Sequence, residues 1–181
     1  MRPTTAPPRH GRSMPPRPSR PAADPQAADI VLAGAHGGAG TSTLAVLLAP
    51  AWDMGTVGPL PGGLRPCGWP VVLVARNTVV AASQAITATT AVTTAGVPVA
   101  VLVVVGDGLP EPAEARYRFR VLEGRVGAVV RMPFVPAFRA AASPGQVRLP
   151  RRARQALAEI SALARQQAPR PPYSSRPQGR F

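Results

Sequence analysis

The ten residues GAHGGAGTST, Gly34–Thr43, contain four glycines, and the segments on either side decide what those glycines are for. Before them DIVLAG, Asp29–Gly34, is a short apolar run of β-forming character that ends in glycine. After them TSTLAVLLAPAW continues with helix-forming Leu and Ala until Pro50 interferes. The pattern is strand, glycine-rich turn, helix. In such a turn several backbone N–H groups converge, and with the start of the following helix they hold a phosphate without help from any side chain.

Working outward, VVLVA, Val71–Ala75, has no polar alternation, as a parallel strand covered on both faces requires, and it leaves Arg76 at its carboxyl end. TVVAASQAITATTAVTTAG reads as an Ala/Thr-rich helix closed by Gly96, and VPVAVLVVVGDG as a third strand with Asp107 just past its end. RVGAVVRMP supplies a fourth strand stopped by Pro133, and PRRARQALAEISALARQQ a helix with Ala153, Ala156, Leu157, Ile160, Leu163 and Ala164 on one stripe. Gly55–Pro70 and LPEPAEARYRFRVLEG are expected to be irregular, and Asp53 to lie at a helix end or to be a remnant switch acid. Alternating strands and helices predict an α/β fold of three layers, a small mainly parallel sheet of about four to five strands with helices on both faces. Ligands of such sheets bind beyond the strand carboxyl ends, where the loop, Arg76 and Asp107 all fall. Residues 29–167 are assigned to this domain, and 1–28 and 168–181 to Arg/Pro-rich tails of disordered composition.

All 21 basic residues are Arg, which excludes lysine-dependent chemistry. The net charge of +13 sits in the flanks: five Arg oppose Asp24 in residues 1–28 and eight oppose Glu159 in 146–181, whereas 29–145 carry eight Arg and six acids. A nearly neutral centre argues against a folded face that reads nucleic acid, and leaves non-specific phosphate-backbone contact to the Arg-rich tails. Cys67 is the single cysteine, which fits a reducing cytoplasm and gives no metal-ligand spacing. The amino-terminal stretch has no apolar run to serve as signal or anchor. Asn77–Gly106 is free of charge, but Ser83, Gln84 and the dense set Thr87, Thr89, Thr90, Thr93 and Thr94, with Gly96 and Pro98 breaking the segment, make it a helix and a buried strand and not a membrane span.

Gly37, Gly38 and Gly40 permit close backbone approach, Ser42 stands where a phosphate-loop hydroxyl ligates magnesium, and Thr41 stands where that loop carries lysine. A dinucleotide-binding loop is disfavoured: G-x-G-x-x-G is absent when counted from Gly34, and no acid follows at about 20 residues to bind a ribose. Arg76 is expected either to supply part of the missing charge, because a guanidinium contacts phosphate through two N–H groups, or to be a solvated residue at the strand end. Asp107 is expected either to ligate metal with Ser42 or only to form a turn with Gly106 and Gly108, and His36 to contact a phosphate or to lie exposed in the loop.

HGGAGTST resembles the deviant Walker A loop of the ParA/MinD family of P-loop ATPases, whose pattern is Lys-Gly-Gly-x-Gly-Lys-Ser/Thr-Thr. His36 occupies the signature-lysine position, Thr41 that of the phosphate-contacting lysine, and Ser42 with Thr43 keeps the hydroxyl pair. The later strand–helix–strand and the closing strand, Pro-containing loop and last helix are also similar, so that residues 29–166 are covered; the Asp-x-x-x-Gly pattern of Walker B is missing between Trp52 and Trp69. The resemblance implies that His36, Gly37, Gly38, Ala39, Gly40, Thr41, Ser42 and Thr43, joined by Arg76, bind ATP or ADP with Mg2+. One missing donor to a transition-state charge costs about 3–4 kcal/mol, and two lysines are absent, so fast hydrolysis is not expected. The implied protein is a non-catalytic or very slow adaptor, cytoplasmic, acting through a protein partner in a partition, positioning or plasmid-related system. The alternatives are an active ATPase built on Ser42, Arg76 and Asp107, or a relic that binds no nucleotide.

Overall fold

The computed structural model describes residues 29–57 and 69–167. Their uncharged, valine-rich runs are the strands β1 (Ile30–Gly34), β3 (Val71–Arg76) and β4 (Val99–Val105), each buried along nearly its whole length. With β2 (Ala51–Thr56) and β5 (Val129–Met132) they form a five-stranded, wholly parallel sheet in the order β2-β1-β3-β4-β5. Parallel strands bury both faces, and the helices supply the cover. On one side α1 (Thr41–Leu47) and α4 (Arg151–Gln166) enclose Leu32, Val72, Val74, Val101 and Val103. On the other α2 (Val79–Thr94) and α3 (Ala113–Glu123) enclose Val31, Leu73, Leu102 and Val104, with Phe119 and Leu122 as the bulky fill. The three-layer α/β architecture is the one expected.

Each helix has a local reason to be where it is. Thr78 caps α2 by accepting the Ala81 N–H at 3.2 Å, and Ala81, Ala82, Ala85 and Ala88 give that helix a flat face that lies close on the sheet. The hydroxyls of Thr87, Thr90 and Thr93 donate back to carbonyls four residues earlier, which pairs these three polar groups within the helix. Gly96, at φ 78°, takes the left-handed conformation that ends it. On α4 the predicted stripe is the buried one: Ala153, Ala156, Leu157, Ile160 and Ala164 face the sheet, with Leu163 packed at its border.

Two segments differ from expectation. Asp53 does not end a helix: α1 stops at Leu47, and Ala51–Thr56 is an edge strand, β2, paired in parallel with β1. The charged piece expected to be irregular contains α3, whose Ala115, Phe119 and Leu122 are fully buried at helical spacing while Glu114, Arg116, Arg120 and Glu123 are exposed and Arg118 reaches Ser83 and the Val79 carbonyl of α2. Residues 58–68, with Cys67, and the tails 1–28 and 168–181 lie outside the described residues. Among the described residues no helix is long and apolar enough to cross a membrane.

Candidate functional site

The loop leaves β1 at Gly34, whose missing side chain is a steric requirement: a Cβ there would lie 2.7 Å from Thr41 Oγ1 and 3.2 Å from the His36 carbonyl oxygen. Gly38 and Gly40 take φ of 77° and 100°, which only glycine adopts without strain, and Gly40 begins α1 with its carbonyl accepting Leu44 N–H at 3.0 Å. Thr41, at the lysine position of a phosphate loop, is turned inward and 8% exposed. Ala39 belongs to the core and not to the cavity, and Gly37 is exposed.

At the carboxyl edge of the sheet a cavity of about 410 Å³ opens between the loop and β2. Gly38, Gly40, Thr41, Ser42 and Thr43 form one wall, Asp53, Gly55 and Thr56 another, and His36 and Arg76 close it. Of the expected residues, His36, Gly38, Gly40, Thr41, Ser42, Thr43 and Arg76 meet at this cavity and Gly37 and Ala39 do not line it, while Asp53 reaches it on β2, which AWDMGT does not announce as a strand. Asp53 Oδ1 accepts the Gly55 N–H at 2.8 Å. With seven residues α1 adds little macrodipole, so the formal charges at the cavity are the Arg76 guanidinium and, opposing it, the Asp53 carboxylate.

A second cavity of about 180 Å³ adjoins the first, and Gly40, Thr43 and Arg76 border both. Leu44 and Leu47 of α1, Met132 at the end of β5, and Phe134, Val135 and Phe138 after it give this cavity apolar walls, with Arg139 at its rim. The Arg139 guanidinium lies 4.9 Å from the centroid of the Phe134 ring, a cation–π contact that holds both groups. The aromatic pair in MPFVPAFR was the signal in the sequence.

His36 is not free in the loop. Its Nε2 accepts the backbone N–H of Arg76 at 3.1 Å, and its Nδ1 lies 2.9 Å from the Gly37 carbonyl oxygen. Asp107 borders neither cavity; it forms the turn, accepting Leu109 N–H at 2.9 Å through Oδ1. That N–H, chiefly, together with the Asn77 amide and the Arg76 charge, holds the Asp107 carboxyl below the usual carboxylate range against a smaller effect of burial. The structure therefore separates Asp107 from Ser42, which lines the loop cavity. Among the described residues no three His, Cys, Asp or Glu side chains group closely enough to hold a metal ion.

Compared with protein-family models, curated proteins and solved structures, the chain has no match in any of the three. Its own geometry sets Thr41, Ser42, Thr43, Thr56, the Asp53 carboxylate and the Arg76 guanidinium around a polar cavity, with an apolar cavity next door.

Proposed function

We propose that the protein is a ParA/MinD-like P-loop protein that binds a nucleotide, ATP or ADP with Mg2+, without fast turnover, and works as a cytoplasmic adaptor for a protein partner in a partition, positioning or plasmid-related system. The observation that carries the proposal is the convergence of the glycine-rich loop, Ser42, Thr43 and Arg76 on one cavity that shares Gly40, Thr43 and Arg76 with an adjoining apolar one. A polyphosphate suits the donors of the first, and an attached planar base suits the walls of the second. Turnover is slow in this proposal because no lysine exists in the chain to stabilise the transferred phosphoryl group, and a guanidinium on the β3 end replaces one of the two missing charges.

Calorimetric titration of the full chain with ATP and ADP, with and without Mg2+ and in salt high enough to screen the tails, tests this. Micromolar affinity that disappears in Gly40→Val is expected, because valine at φ 100° distorts the loop. Absence of binding at millimolar nucleotide would reject the proposal and leave the loop a relic.

A further inference from the structure

β1 and β3 pair regularly up to the bond from Ala35 N–H to the Val74 carbonyl, at 2.8 Å. One step further the chain has turned into the loop, and the next inward N–H of β3, that of Arg76, meets no β1 carbonyl. The His36 ring stands in for one: Nε2 accepts that N–H at 3.1 Å across 40 positions of sequence. A ring nitrogen that accepts carries no proton, so in the neutral imidazole the proton is on Nδ1, where the Gly37 carbonyl at 2.9 Å receives it. Both nitrogens are used, each in one sense only. An imidazolium has no acceptor and cannot make this pair of bonds.

Arg76 and His36 both line the loop cavity, with Asp53 the other charged group there. We infer that His36 is a positioning residue: through its Nδ1–H tautomer it locks the loop to the end of β3 and so holds Arg76 at the cavity. The inference rests on the nucleotide reading only for its effect on binding; the lock itself is a property of the free protein. It makes loop and guanidinium one preorganised unit within a single chain, so that ligand binding does not have to order them first.

The test uses two amides of different reach in the full chain. In His36→Gln the side-chain oxygen reaches the position of Nε2 and restores an acceptor for Arg76; in His36→Asn the shorter amide replaces only the Nδ1–H donor to Gly37. Three readouts are taken: imidazole ¹⁵N shifts of the unsubstituted protein, hydrogen exchange of the Arg76 amide, and ATP titration. Expected are an Nδ1–H ring, an Arg76 amide protected in the unsubstituted protein and in His36→Gln but exchanging about tenfold faster in His36→Asn, and ATP affinity that falls by about the same factor in His36→Asn alone. An Nε2–H ring, or Arg76 protection and ATP affinity as good in His36→Asn as in His36→Gln, would overturn the inference. If ATP does not bind at all, the nucleotide proposal fails, while ring tautomer and amide exchange still decide the lock. If neither variant folds, the tautomer decides it.

Discussion

A methyl group on Gly34 would stand 2.7 Å from Thr41 Oγ1, which is buried and has little room to retreat. Gly34→Ala is therefore expected to lower stability by about 1–3 kcal/mol, read as a fall of several degrees in the thermal midpoint, and to weaken ATP binding with it. At Asp107 the sign follows from a depressed carboxyl: its stabilising contribution is present above the ordinary value of 3.8 and is lost as pH falls through the lower value of the folded state. Asp107→Asn keeps an oxygen for Leu109 N–H but no charge, so it is expected to be slightly less stable than the unsubstituted protein at neutral pH, with the gap closing below about pH 4; the effect is small because the carboxylate is solvated. Asp53 shares its cavity with whatever anion enters. Without Mg2+ the two repel, so Asp53→Asn is expected to tighten metal-free ATP binding by about three- to tenfold and to shrink the benefit of Mg2+, both measurable by titration. If metal-free affinity is unchanged, the phosphates do not approach the β2 side of the cavity.

β1, β3 and β4 were legible as elements because a strand covered on both faces has no charge to place, and its sequence is a plain apolar run. β2 was not: AWDMGT mixes an acid and a glycine with two large apolar side chains, and its strand conformation comes from pairing with β1, a contact that no window of the sequence contains. α3 could have been found. Ala115, Phe119 and Leu122 keep the spacing of a helix face, but five charges within Ala113–Glu123 and the prolines before it mask that period. Inside α2 the Thr89 hydroxyl is fully buried and finds no partner among the described residues. Thr89→Val, which keeps the shape and removes the orphan oxygen, is expected to stabilise the protein by about 1 kcal/mol, visible as a rise of a few degrees in the thermal midpoint. No change would mean that the hydroxyl has a partner after all.

Charge is the property on which the whole molecule departs furthest from an average protein, and much of it is carried by sequence outside the described residues. Non-specific contact of the Arg-rich tails with a phosphate backbone predicts salt-dependent duplex-DNA binding that weakens about tenfold or more at moderate salt, with a flatter salt dependence, when the eight arginines of residues 1–28 and 168–181 are exchanged for glutamine; an anisotropy titration checks it. Unchanged binding would place the contact on the domain instead. The loop could be read from four glycines, but the site could not: the bond from Arg76 to His36 spans 40 positions, and the apolar cavity joins α1 to the segment after β5. Such meetings are set by strand order, which periodicity does not encode. Strand order also sets how the site yields. Among the described residues β3 has a strand on each side and β2 on one side only, so the loop cavity has a stiffer wall bearing Arg76 and a more compliant wall bearing Asp53. Ligands that differ in bulk will be accommodated from the β2 side, and discrimination between them will be sharpest along β3.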